Sequence, residues 1–239
     1  MKIIKRKIDL YGDGIGSVAY VQHVGNDKMI VNAARVSFGQ ENDEPLSDKD
    51  KKLIKYLLKH NHSSPFEHNS ITFKVKVPLY VRSQHHRHRT FAYNEISRRY
   101  TDDNIEFYEP DAYRTQHKSN RQASNELDTQ NPKISGVYFV GTPDTITVTE
   151  AVEAHRKLSV QLFEKMLKSG VCREQARGVL PQNLYTEYYA TVSLHNLFRF
   201  IRLRTHEGAQ WEIQQVANAF VEIAETVWPE TMKLWRENG

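Results

Sequence analysis

One cysteine, Cys172, is all the thiol chemistry the chain possesses. An internal disulfide and a cysteine metal knuckle are therefore excluded, and a reducing, cytoplasmic setting is expected. Long apolar runs are also missing. No stretch approaches the length needed to span a membrane, and the opening MKIIKRKIDLYGDG lacks the apolar core and small-residue cleavage site of a secretory signal. Charge of one sign is scarce as well: 33 Lys and Arg stand against 29 Asp and Glu, a net +4. That excess is too small for a general nucleic-acid coat, but it leaves room for one local basic pocket. The 239 residues suffice for one sizeable domain with its own core.

The pattern that is present is α+β, with helices packed around a small, mainly antiparallel sheet. Residues 1–25 read as short strands around YGDGIGS. That glycine run has no Walker lysine and leads into no clear helix, so it reads as a hairpin turn rather than a phosphate loop. MIVNAARVSF is a short helix candidate. SDKDKKLIKYLLKHN is a stronger one, with Ser47 as its cap, Asp48 and Asp50 in the first turn, and Leu53, Ile54, Leu57 and Leu58 on one face. ITFKVKV alternates strictly and predicts a half-buried strand ended by Pro78, which can open the next helix. Residues 110–145 are polar and read as a long excursion or lid. Thr147 and Glu150 have capping-box spacing, followed by a helix with Val148, Val152, His155, Ser159, Leu162 and Met166 at helical intervals and Gly170 as its stop. CREQARGVL predicts a short helix, LYTEYYATVSL a strand, and HNLFRFIRLR and QWEIQQVANAFVEIAETVW two helices. The last has Trp211, Val216, Phe220, Ile223 and Val227 inward.

Between His85 and Tyr100 the sequence is HHRHRTFAYNEISRRY, sixteen residues with three of the eleven histidines and four arginines. A metal site fits poorly. The histidine spacings are not the helical four of zinc sites, and Arg87 and Arg89 would oppose a cation. Arginines interleaved with aromatics can bind phosphates and stack bases, so a nucleic-acid- or phosphate-binding protein without catalysis is one reading. The other is a small-anion site. If the helix after Pro78 runs to about residue 88, Gln84, Arg87 and His88 share a face where guanidiniums can grip a phosphate. AYNEIS then breaks the helix and supplies an amide, a carboxylate and a hydroxyl able to read a heterocycle or a ribose. Arg98 and Arg99 add phosphate capacity. Pattern alone stops at a nucleotide or phosphate ligand.

Arg87-His88-Arg89, seven residues, then Ser97 resembles the signature of the flavin-dependent thymidylate synthases. AARVSF, HSSPFEH, YNEIS, REQARGVLPQNLYTEYY and LRTHEGAQWEIQQ follow one another as that family's blocks do. The resemblance covers nearly everything outside 110–145. It implies a single catalytic domain and a homotetramer with no nucleic-acid or membrane partner. One FAD per subunit would lie at the subunit interfaces, against Ser64, Glu67, Arg87, His88, Arg89, Asn94, Glu95, Ser193, His195 and Arg199. The same resemblance implies dUMP bound by Gln84, Arg87, Glu95, Ser97, Arg98, Arg99, Arg177 and Arg204, with Arg204 as the catalytic group that favours ionisation of the uracil. His62 would stand near the folate or reductant. NADPH and methylenetetrahydrofolate would be co-substrates. The chain departs from the family pattern at Ser193, where asparagine is common, and at Arg98, where a small residue is common. Its histidine falls at His206 rather than at Gly208. His85 and His86 are expected to be packing or surface neighbours of the motif, and Cys172 a small residue at a helix start rather than a nucleophile.

Overall fold

The computed structural model describes residues 7–101, 105–110, 112–121, 123–137 and 143–238. The main sheet has five strands: β1 (Lys7–Asp9), β2 (Ser17–Val24), β3 (Ser70–Pro78), β4 (Ala92–Glu95) and β9 (Tyr185–Ser193). Their order is β1-β2-β3-β9-β4, and every pairing is antiparallel. The alternation of ITFKVKV reappears as burial, with Ile71, Phe73, Val75 and Val77 all enclosed. Phe73 stacks on Phe220 at a centroid distance of 3.9 Å. On the opposite face Thr72 and Thr191 share a hydroxyl hydrogen bond across β3 and β9.

The YGDGIGS turn joins β1 to β2, and its amides are turned inward. Asp9 accepts from the N–H groups of Tyr11, Gly12 and Gly14, and Asp13 from those of Ile15 and Gly16. Two carboxylates already occupy the donors that a phosphate loop would offer to its ligand, so the hairpin reading holds.

Helices α1 (Asp27–Arg35), α2 (Asp48–Lys59) and the one-turn α3 (Ser64–Glu67) lead into β3. α2 begins with a full capping box between Ser47 and Asp50. Asp50 is buried and also binds Lys28 at 3.1 Å and Arg35 at 2.6 Å, which ties α1 to α2. These hydrogen bonds and cations outweigh the cost of burial and hold its carboxyl at about 2. α7 (Leu194–Arg204) and α8 (Trp211–Val227) supply the main core, and α9 (Pro229–Asn238) closes it. Pro229 starts that last helix at its first turn, a position that needs no N–H, rather than ending the chain's regular structure.

A second, smaller core gathers Phe163 of α5 (Val148–Lys168), Ala176 of α6 (Arg173–Ala176), Leu180 and Leu184. The predicted stripe of α5 is displaced here. Ser159 is buried as expected, but Ala151 and Phe163 are buried beside it while Leu162 is 45% exposed, because α6 and the turn after it pack against Phe163. The excursion at 110–145 carries two hairpins: β5 (Tyr113–Gln116) with β6 (Ser124–Gln130), and β7 (Lys133–Ser135) with β8 (Thr145–Thr147). The first pairs largely through polar residues, and the second has a single apolar pair, Ile134 with the buried Ile146, too short a run to show as alternation. Among the described residues no helix is long and apolar enough to cross a membrane.

Candidate functional site

The helix after Pro78, α4 (Leu79–His85), stops three residues earlier than expected. A chain of tight turns follows. Arg87 N–H donates to Gln84 O, His88 to His85 O, and Phe91 to His88 O. Tyr93 clamps this stretch by donating its hydroxyl to the carbonyls of His85 and His88. The cause is His85 itself. It is fully buried among Phe91, Tyr93, Tyr188, Phe200 and Phe220, and its Nδ1 meets the Tyr188 hydroxyl at 2.8 Å. With His85 and Phe91 pinned inward, Arg87 and Arg89 point to solvent and His88 lies half-buried. AYNEIS is not an irregular break. Residues 92–95 are β4, the edge strand paired with β9, because extended backbone there completes the sheet.

From β4 the chain enters a cavity of about 520 Å³. Glu95, Ser97, Arg98 and Arg177 line it, together with Arg82 and Thr186. Glu95 is held from two sides, by Arg82 Nε at 3.1 Å and by the Thr186 hydroxyl at 2.6 Å. Arg177 sits in the 3-10 turn after α6 and forms no ion pair among the described residues. The small core of Phe163, Ala176 and Leu180 fixes that turn.

A second cluster lies where α7 ends. Arg204 Nε donates to His88 Nε2 at 3.0 Å, so the remaining ring proton sits on Nδ1. Burial, then the charges of Arg204 and Arg199, pull His88 down to about 4. The imidazole is thus neutral and accepts, and it does not neutralise the guanidinium. Burial also lowers Arg204. A third region is a cavity of about 300 Å³ between α2, α7 and α9, where His62, His195 and Arg199 meet Phe66, Phe198 and Trp235.

A family model described as thymidylate synthase complementing protein matches residues 20–230. The chain belongs to the thymidylate synthase complementing protein family. It is 43% identical over 211 residues to a flavin-dependent thymidylate synthase of Thermus thermophilus, covering 87% of this chain and 71% of the relative. A flavin-dependent thymidylate synthase of Thermosipho africanus is 39% identical over 211 residues, at 87% and 86% coverage. The fold matches a crystal structure of the UMP/dUMP methylase PolB from Streptomyces cacaoi bound with 5-Br dUMP. That likeness has a TM-score of 0.78 and 31% identity, over 97% of this chain and 98% of the other.

For this family member the structure divides the residues picked out by sequence into groups. Glu95, Ser97, Arg98 and Arg177 share one cavity wall, with Arg99 exposed nearby in sequence and reaching Glu174. Gln84 does not line that cavity. Its amide donates to Gln210 Oε1. Arg87, Arg89 and Asn94 are exposed. Ser64 and Glu67 are exposed on α3, and Ser193 caps α7 through Asn196 N–H. His206 is bonded by Gly208 N–H, an exchange within its own loop. Cys172 is exposed at the start of α6, with its thiol toward Gln175, and does not line the cavity. Among the described residues no three His, Cys, Asp or Glu side chains converge as a metal-binding group.

A flavin dinucleotide asks for an apolar, aromatic surface for its rings and cations for its diphosphate. The cavity beside α7 offers Phe66, Phe198 and Trp235 for the first. Arg199 and Arg202 line the same cavity, and neither forms an ion pair among the described residues, so they offer the second. The donor set fits. Two charged residues were not singled out from sequence: Arg82, which lines the cavity and holds Glu95, and Glu212, which binds Arg114 and Gln210. Arg82 carried a weak signal, as a charge in the short helix leading to the motif. Glu212 carried a stronger one. It stands four residues before Val216 and eight before Phe220, in register with the apolar stripe of α8, where a carboxylate demands a buried partner.

Proposed function

We propose that this chain is a flavin-dependent thymidylate synthase, acting as one catalytic domain that methylates dUMP to dTMP. Methylenetetrahydrofolate is the carbon donor and NADPH the reductant. The observation that carries the reading is the cavity in which two guanidiniums, Arg98 and Arg177, face the Ser97 hydroxyl and an anchored carboxylate, Glu95. Such a set takes a phosphate at one end and a sugar hydroxyl at the other.

Ser97, Arg98 and Arg177 bind the phosphate. Glu95, oriented by Arg82 and Thr186, accepts from the ribose. Arg204 contributes at the pyrimidine. Its charge is uncompensated by the neutral His88 and strengthened by partial desolvation, so it stabilises negative charge on the ring and makes carbon 5 nucleophilic. No covalent cysteine adduct is needed, in keeping with the placement of Cys172. FAD, when bound, supplies the hydride that completes the methyl group. His62, His195 and Arg199, with the exposed Arg87 and Arg89, would hold it, and His62 would neighbour the folate.

Arg204 and Gln84 do not line the cavity of Glu95 and Arg177 within one chain. A second subunit that supplies one of these groups to the nucleotide fits the homotetramer we propose, with the flavin at subunit interfaces. The deciding experiment is tritium release from C5-labelled dUMP by FAD-loaded protein with methylenetetrahydrofolate and NADPH. Release coupled to dTMP formation is expected. Its absence from folded, flavin-loaded protein would overturn the assignment.

A further inference from the structure

Glu212 is only 3% exposed, and both of its oxygens are engaged. Oε1 accepts from Arg114 Nη2 at 2.6 Å, and Oε2 accepts from the Gln210 amide at 2.8 Å. Arg114, on β5, is itself fixed by Ser124 Oγ at 2.9 Å and lies over the Trp211 ring at 5.2 Å. Next in line, the Gln84 amide donates to Gln210 Oε1.

The sequence of bonds has a direction. A side-chain amide can turn either end toward a neighbour, and in most places the two choices differ little. A carboxylate paired with a guanidinium only accepts. Gln210 must therefore aim its NH2 at Glu212, which leaves its oxygen for Gln84. Gln84 must answer with its NH2, which leaves its own Oε1 free on the other side. Gln210 is additionally rigid at the backbone, since its carbonyl accepts from Ile213 and Gln214 at the start of α8.

We infer that Arg114, Glu212 and Gln210 are positioning residues that set the polarity of the Gln84 amide, so that it presents a hydrogen-bond acceptor to the nucleotide. This rests on the proposed function and on the dUMP contact that the family resemblance implies for Gln84. The ligand class so selected carries an N–H or O–H at that point, such as a uracil imide or a ribose hydroxyl. An analogue with an acceptor there meets two opposed lone pairs. The relay also gives the 110–145 excursion a task, because Arg114 belongs to its first hairpin and its guanidinium anchors the far end of the chain of bonds.

The test is a double-mutant cycle on FAD-loaded holoenzyme, reading the dUMP dissociation constant by flavin absorbance. Gln84→Ala and Glu212→Gln should each weaken dUMP about tenfold. The double variant should be no weaker than Gln84→Ala to within about twofold, since Glu212 acts only through Gln84. Effects that multiply, or a Glu212→Gln protein with unchanged affinity, would overturn the relay. An unchanged Gln84→Ala protein would overturn the nucleotide contact and the relay with it, while wild-type protein that binds no dUMP would overturn the proposed function. Glu212→Gln leaves Arg114 without its counter-charge, so a second cycle uses Gln210→Met, which keeps the Arg114–Glu212 pair. The same pattern with Gln84→Ala is expected, and multiplying effects there count equally against it.

Discussion

Replacing Arg204 by alanine removes both the hydrogen bond to His88 Nε2 and a positive charge 3.0 Å from that ring nitrogen. His88 stands at about 4, first through burial and then through repulsion by Arg204 and Arg199. Two unit charges about 4 Å apart in a medium of intermediate dielectric interact by roughly 4 kcal/mol. Both side chains are only partly buried, and water screens most of that. About 1.4 kcal/mol remains, or roughly one pH unit in the titration midpoint. Loss of a repelling charge stabilises the imidazolium, so the midpoint must rise. The rest of the burial, from neighbours other than Arg204, remains and keeps it below 6.5, the ordinary histidine value. An NMR titration of the histidine Cε1–H signals, with His88→Asn to assign the resonance, measures it. The same protein should retain FAD absorbance and lose dTMP formation by at least about a hundredfold, the scale for a preorganised charge at a developing anion. An unmoved midpoint would refute the electrostatic link between the two side chains. Near-normal turnover would refute the role of Arg204 in activating the pyrimidine.

Acid should loosen the fold through the same histidine. Between pH 6.5 and about 4 the unfolded chain binds a proton at His88 that the folded chain refuses, so stability is lost as pH falls through that window. The half-buried ring contributes about 1.5 kcal/mol after screening, and burial displaces His85 in the same direction. Urea midpoints at pH 7 and 5 test this, and His88→Asn should flatten the difference. Phe73→Ala, which empties the stacked pair with Phe220, should cost about 3–5 kcal/mol by the same assay. Gly25→Ala should be comparably damaging in a thermal melt. Residue 25 has φ near +83°, and an added Cβ would fall 2.1 Å from Asn69 Oδ1, a group already bonded to Trp228. Ser97→Ala should raise the KM for dUMP about fivefold to tenfold with little change in melting temperature. Unchanged kinetics would remove Ser97 from the site.

Much of the framework was legible in local pattern, because its signals are local. Ser47 with Asp50 and Thr147 with Glu150 are capping boxes at their own helix starts. The alternation of β3 needs no partner to be seen. The misreadings share one cause. Residues 92–95 carry the pattern of a break after a longer helix, yet they form a strand because β9 offers an edge. Part of the α5 stripe shifted to meet α6, and the short hairpins of the excursion are held by strand pairing that composition does not announce.

Residue types and their order along the chain set the chemistry available: arginines and a serine at family spacing, one thiol, near-neutral total charge, and a set of blocks in family order. Tertiary structure alone decided how that chemistry is deployed. It buried His85 to turn Arg87 and Arg89 outward, brought Arg82 and Thr186 to Glu95, and set Arg204 against a neutral His88. It also linked Gln84 to a carboxylate more than a hundred residues away. The physical reason is that residue type sets what a group can donate, accept or ionise, whereas burial and neighbours across the fold set which of those it does.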